Sequence, residues 1–277
     1  MSSPLGFAPD WPAHARVRSL VTERAGGASS GSYAALNLAT HVGDSPERVA
    51  ENRAILGAGV PLPSEPVWLE QVHGANVLDL DRDAVVAADG AVTSRAGVVC
   101  AVLTADCLPV IFAARDGSRV GVAHAGWRGL LSGVLPAAVR ALGTPPAEIL
   151  AWLGPAIGAA SYEVGADVRD AYLASDADAA AAFVPNARGR WQADLYALAR
   201  ASLADAGVKD VHGGGFCTFA EANRFFSHRR EAPCGRFATL VWLAPDRVQS
   251  KSPARGPSRR PQAAARAVPM AVEIEAR

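Results

Sequence analysis

Apolar and polar positions along this chain predict strands more often than helices. Residues 15–24 (ARVRSLVTER) alternate at the two-residue period of a half-buried strand. Glycine and serine clusters then break the pattern over AGGASSGSYAALNLATHVGD, which reads as a loop. Ser45-Pro46-Glu47 opens a predicted helix running to Leu56, with Ser45 as N-cap and Pro46 at the first helical position. PVWLEQV (66–72) reads as a strand that stops at His73-Gly74. AGVVCAVLTA (96–105) reads as a buried strand ending at Asp106-Cys107, and LPVIFAA follows almost at once. The run from Arg119 to Ala123 leads into His124, and a helical pattern, Gly129 to Leu142, leaves it. EILAWLG (148–154) predicts a strand, and the stretch 164–183 a helix. The stretch 194–207 is amphipathic, with Leu195, Leu198, Ala199 and Leu203 on one face. VHGGGFCT and RFATLVWLA complete the strands. Strands outnumber helices without alternating strictly with them, and no repeat is present. The expectation is a single mixed α/β (α+β) domain with helices outside its sheets, rather than a doubly wound parallel fold.

Composition narrows the picture. The chain has 277 residues, half apolar and 19% charged, enough for one large domain or two small ones. Its formal charge of zero is unevenly spread. Residues 247–277 hold seven Lys/Arg and two Glu, leaving 20 basic against 25 acidic residues before them. A net-negative body argues against a nucleic-acid-binding domain. The Pro-, Ala- and Arg-rich segment 246–277 reads as a disordered basic tail, with contact to nucleic acid or a membrane surface as the alternative. Residues 1–14 read as an N-terminal extension of a domain spanning 15–245, without the basic and apolar regions of a secretion signal. VVCAVLTADCLPVIFAA is broken by Asp106, so no apolar run reaches membrane-spanning length. Four cysteines without CxxC spacing fit a reducing cytoplasm better than a disulfide framework.

Three strand ends carry candidate chemistry. His73, Cys107 and His124 each close or follow an apolar run, and ends along one sheet edge are natural neighbours. Two imidazoles and a thiolate make a zinc donor set, and three protein ligands leave a position for water or substrate. Spacing alone leaves other readings open. Cys107 is also readable as a small buried hydrophobe, or as a nucleophile with His124 or His73 as base. His212-Gly213-Gly214-Gly215 resembles an oxyanion loop, but no GxSxG elbow accompanies it. Its glycines read as a strand bend or a close approach. Arg229-Arg230, near Arg236, reads as a phosphate or carboxylate holder or as a solvated face.

The ordered motifs are more specific. TERAGGASSGSYAALNLATHVGD, WLEQVHG, ADGAVTS, LTADCLPVIFA, VAHAGWRG, WLGPAIGAASYEVG, FFSHRRE and GRFATLVWL together resemble the family once called multicopper polyphenol oxidases or laccase-domain proteins. Its members are described as purine nucleoside phosphorylases with adenosine deaminase activity, and some as peptidoglycan editing factors. The resemblance spans roughly residues 15–244. It implies a four-layer α-β-β-α sandwich and a zinc centre on His73, Cys107 and His124. It also implies that Arg24 and Arg128 lie near the anionic part of a substrate. The sequence departs from the common pattern at Ala159, Ala160 and Ser161, where relatives often carry cysteine, and at His228, where they often carry tyrosine. Those departures point to an altered substrate pocket near Tyr162 or His228.

Functions of different class follow. A multicopper oxidase needs several coppers, each with its own imidazoles, and only His14, His41, His212 and His228 remain beyond the one His-Cys-His set. The expectation is therefore a zinc enzyme acting on purine nucleosides and phosphate. Adenosine, inosine and methylthioadenosine are candidate nucleosides. An amide hydrolase editing a cell-wall precursor, a copper phenol oxidase and a non-catalytic zinc protein are the alternatives. The tail composition cannot offset the entropy of ordering. A chain ending near Pro245 is expected to keep its melting temperature and activity. A large drop in either would show that residues 246–277 dock on the body.

Overall fold

The computed structural model describes residues 5–245. In chain order it opens with β1 (Gly6–Phe7), β2 (Val17–Thr22), α1 (Pro46–Gly59), β3 (Val67–Trp68), β4 (Val77–Asp79) and β5 (Gly90–Thr93). The central strands are β6 (Val99–Thr104), β7 (Leu108–Ala114) and β8 (Val120–Ala125), followed by α2 (Trp127–Leu131), α3 (Val134–Leu142) and β9 (Ile149–Leu153). The rest is β10 (Glu163–Val164), α4 (Ala166–Ser175), β11 (Phe183–Pro185), β12 (Trp191–Ala193), α5 (Leu195–Asp205), β13 (Asp210–Gly213) and β14 (Phe237–Leu243).

Strand alternation builds four layers. One sheet has the order β1-β2-β14-β6-β3, and a second the order β13-β9-β7-β8-β5-β4. Val21, Cys100, Val102 and Val241 of the first sheet meet Ile111, Ala113, Val120 and Val122 of the second. The alternate residues of the first sheet, Leu20, Val99, Ala101 and Leu240, turn outward onto Leu36, Leu38 and Leu56 of the loop and α1. On the far side Val110, Phe112 and Ala123 pack on Val134, Leu135 and Ala138 of α3 and on Leu198 and Leu203 of α5. The result is the α-β-β-α sandwich. Strands covered on both faces need apolar residues at every position, which is why β6, β7 and β8 read as continuous runs. A small three-stranded sheet, β10-β12-β11, stands apart from the two main ones.

Ser45 caps α1 as expected, its side chain accepting from the Arg48 N–H, with Pro46 at the start. Other elements differ from the sequence reading. The helix expected over 129–142 begins earlier and breaks at Gly133, whose φ of 83° is left-handed and separates α2 from α3. The helix expected over 164–183 stops at Ser175. There Asp176 accepts from the Asp178 N–H and starts a 3₁₀ turn that leads into β11. The expected strand 66–72 pairs only over Val67–Trp68.

The N-terminal stretch read as an extension supplies β1, which pairs with β2. Gly6 is needed there, since a Cβ would stand 2.1 Å from the Val21 carbonyl oxygen. Phe7 packs against Trp152, Phe216 and Phe225. From Leu5 onward, apolar burial and a strand pairing tie that stretch to the fold. The tail reading falls on residues 246–277, outside the described residues. No described helix is long and apolar enough to cross a membrane.

The turn after β5 shows how a carboxylate fixes local structure. Asp81 accepts from the Thr93 hydroxyl at 2.6 Å and from the Ser94 N–H at 2.8 Å, with the Arg95 guanidinium alongside. Burial pushes the Asp81 carboxyl up, but hydrogen bonds from Ser94 and Thr93 and the Arg95 charge outweigh it and hold the group to about 2. A folded-state value below the unfolded one stabilises above the unfolded value and is lost as pH falls through the folded one. Asp81→Asn is expected to cost about 2 kcal/mol at pH 7, a difference from wild type that shrinks as pH falls from 4 toward 2. Denaturant unfolding across that range checks it, and a pH-independent difference would refute the assignment.

Candidate metal centre

The turn that follows β3 is shaped by one buried carboxylate. Asp89, fully buried just before β5, accepts from the backbone N–H groups of Val72 (3.2 Å), His73 (2.9 Å) and Gly74 (2.6 Å). His73 has a φ of 60°, an unfavourable conformation for a residue with a Cβ, and this clamp holds it there. The same carboxylate meets the His124 Nδ1 at 2.8 Å. An ionised carboxylate only accepts, so Nδ1 carries the hydrogen and Nε2 is left to act as a ligand. Burial works against the Asp89 charge, yet hydrogen bonds from His124 and Gly74 keep its carboxyl below the ordinary value.

His124 lies in β8 opposite Pro109, and Cys107 sits at the corner where the chain leaves the first sheet and enters the second. Asp106 makes that corner with a φ of 87°. Its Oδ1 accepts from the Thr218 hydroxyl and its Oδ2 from the Arg229 N–H, each at 2.6 Å, which ties the 216–230 loop to the site.

His73, Cys107 and His124 each offer a donor atom, and these atoms lie within 4.8 Å of one another. The two rings stand edge to face with centroids 4.7 Å apart. A tetrahedral ion with bonds of 2.0–2.3 Å sets its ligands roughly 3.3–3.8 Å apart, so small side-chain rotations close the set. Gly126 keeps the space open, for a Cβ there would stand 2.8 Å from the Cys107 Sγ and 3.5 Å from His73 Cδ2. Burial pushes the Cys107 thiol up, but His124 and His73 more than offset it and bring it to about 6. Burial pushes His124 down, while the Cys107 thiolate and Asp89 raise it to about 9. The two groups thus favour a deprotonated thiol and a proton on the imidazole, and a cation taking that proton's place would find its donors already assembled. The residues fit a metal ion with soft and imidazole preferences.

His73 and Cys107 open onto a cleft of about 170 Å³, lined also by Asp106, Trp127, Arg128, Ile157, Tyr162, His228 and Arg229. Arg128 lines this cleft, stacked on Trp127 at 4.4 Å. Arg24 does not line this cleft. Its Nε donates to the Ala34 carbonyl and its Nη1 to that of Ala222, over the Phe226 ring. Tyr162 and His228, expected at an altered pocket, both line the cleft. Burial, and then the nearby Cys107, push the Tyr162 phenol above its ordinary value. The solvated-face reading fails for Arg230 and Arg236, while Arg229 is exposed. Arg230 donates to the carbonyls of Thr218, Phe219 and Phe225, and Arg236 to those of Cys234 and Gly235. The glycine run after His212 is a close approach, since a Cβ on Gly213 would lie 2.4 Å from the Leu153 carbonyl oxygen. Asp89 was not singled out in the sequence. The one signal was an aspartate in ADG just before a short apolar run.

A four-layer α-β-β-α protein with an imidazole–thiolate–imidazole set at the junction of its two sheets is the class that fold and site define. The chain belongs to the multicopper polyphenol oxidoreductase laccase family, whose model matches residues 18–244. A protein of Pseudomonas aeruginosa named purine nucleoside phosphorylase is 54% identical over 236 residues, covering 85% of this chain and 97% of that one. Purine nucleoside phosphorylase YfiH of Escherichia coli is 49% identical over 237 residues, with the same coverage. A crystal structure of a Neisseria meningitidis protein, 47% identical, superposes with a TM-score of 0.83 over 87% of this chain and 100% of that one. These relatives make the chain a member of an enzyme family.

The purified protein is expected to carry about one zinc per chain and to lose it in a His73→Ala, Cys107→Ala double variant. Asp89→Asn is expected to weaken metal affinity about 10- to 100-fold while all three donor residues remain. Elemental analysis and chelator competition measure both. Undiminished zinc in the double variant would place the metal elsewhere.

Proposed function

We propose that this protein is a zinc-dependent purine nucleoside phosphorylase that also deaminates adenosine. The observation that carries the reading is the three-donor cluster opening onto a cleft that also offers aromatic faces and guanidinium groups. His73, Cys107 and His124 would hold the zinc, which would supply a Lewis acid to the cleft. Trp127 and Tyr162 offer surfaces suited to a flat base, and Ile157 and Leu195 an apolar lining. In phosphorolysis a phosphate oxygen attacks the ribose C1 and the base leaves, so cations in the cleft must gather the anion. In deamination water replaces the amino group at the purine C6 and ammonia leaves. Asp89 holds the His124 ring, and Asp106 holds the loop that bears His228 and Arg229. The names of the relatives support the first activity. Four unpaired cysteines suit a reducing compartment, the cytoplasm in this reading.

Two alternatives fit less well. Among the described residues one group of His, Cys and carboxylate side chains is arranged to hold a metal, whereas multicopper oxidation asks for several. Amide hydrolysis on a cell-wall precursor would use the same centre, but the names of the relatives do not speak for it.

Incubation with adenosine or inosine, with and without phosphate, tests the proposal. Free base and ribose 1-phosphate are expected only with phosphate, and inosine from adenosine in either condition. Cys107→Ala is expected to abolish both, because losing the thiolate removes a ligand and with it the metal. Intact nucleosides beside a hydrolysed serine-bearing cell-wall precursor would replace this reading with the editing one.

A further inference from the structure

Three donor groups line the cleft with few protein acceptors near them, and Arg128 and Arg229 are exposed to solvent. Tyr162 is only 9% exposed and lines the cleft, yet its hydroxyl makes no hydrogen bond among the described residues. The ring is buried but the hydroxyl reaches the solvent of the cleft, so its donor is free for what binds there. The Arg128 guanidinium stacks on Trp127 and has no ion pair or side-chain hydrogen bond among the described residues. Arg229 stacks over the Tyr162 ring at 5.2 Å and commits Nη1 to the Glu163 carbonyl oxygen at 2.7 Å, which leaves Nε and Nη2.

The nearby acceptors do not answer this excess. Each Asp106 oxygen already takes one bond, from Thr218 or from the Arg229 backbone, and neither guanidinium pairs with it. Cys107 belongs to the donor cluster. Two cations and a neutral donor therefore face one cleft. That set suits a dianion with several acceptor oxygens better than a carboxylate, which a single guanidinium satisfies.

We infer that Tyr162, Arg128 and Arg229 form a subsite for inorganic phosphate, the phenol donating to one phosphate oxygen and the guanidiniums to others. The inference rests on the phosphorolysis reading above and names the residues that would gather its anion. It moves that role away from Arg24, whose Nε and Nη1 serve the Ala34 and Ala222 carbonyls.

Titration calorimetry of inorganic phosphate into the metal-loaded protein tests it, with acetate as the carboxylate comparison. Wild type is expected to bind phosphate in preference to acetate. Tyr162→Phe, which keeps the ring, and Arg229→Gln are each expected to weaken phosphate binding about tenfold or more, with metal content and melting temperature unchanged. Unchanged phosphate affinity in Tyr162→Phe would overturn the subsite. So would its loss in Arg24→Gln but not in Arg229→Gln. Phosphate binding with these losses, but no phosphorolysis of any nucleoside, would leave the subsite standing and remove the function. Wild-type phosphorolysis by both variants at limiting phosphate would do the reverse.

Discussion

The site depends on the charge of one buried carboxylate. Asp89 receives three consecutive backbone N–H groups from the turn at His73 and one ring N–H from His124, while its own carbonyl accepts the His124 N–H at 2.6 Å. A fully buried carboxylate is tolerable only when such donors replace its hydration. In satisfying itself, Asp89 brings together the turn after β3, the start of β5 and the end of β8. Two of the three donor side chains are therefore placed by a residue that would touch no metal. Cys107 completes the set because the chain must pass from one sheet to the other at that corner.

The second constraint lies on the opposite side of the cleft. The loop after β13 has no strand partner of its own, and its groups are satisfied one by one. Left-handed Gly213, Gly214 and Gly215 turn the chain along β9. Asp106 then pins Thr218 and Arg229, while Arg230 collects three carbonyl oxygens of the same loop. Phe216 and Phe225 anchor it on Phe7 and Trp152. A wall held this way presents His228 and Arg229 to the cleft without being part of either sheet.

His73, Cys107 and His124 were legible because each interrupts or ends a run whose apolar character both sheets demand. The four layers were legible only through the family resemblance, since burial on both faces erases the alternation that would tell which side of a strand faces what. β4 and β5 were missed because three or four residues give no period to count. Asp89 was hidden for another reason. Three of its four side-chain partners are backbone N–H groups, which every residue type supplies, so no pattern of side chains marks it. The split between α2 and α3 was carried by Gly133, but a glycine inside a helical pattern is a break only where packing asks for a left-handed residue.

The arginines show why charge in a sequence does not by itself assign a role. Arg24, Arg128, Arg229, Arg230 and Arg236 all fall in family motifs, and residue type makes them equal candidates for holding an anion. What separates them is the supply of acceptors around each. Arg24, Arg230 and Arg236 lie among loops whose carbonyl oxygens have no strand to pair with, and a guanidinium satisfies two or three of these at once. Removing such a residue would orphan buried carbonyls and loosen a wall of the site, an effect easily mistaken for a lost substrate contact. Arg128 follows Trp127 at the start of α2, where the first-turn carbonyls are taken up by the helix, so its side chain finds an aromatic face and no acceptor. A guanidinium stacked on a ring keeps its in-plane donors available. The unpaired arginine is thus a product of local backbone geometry, and that geometry puts its unused donors in the same cleft as His73 and Cys107.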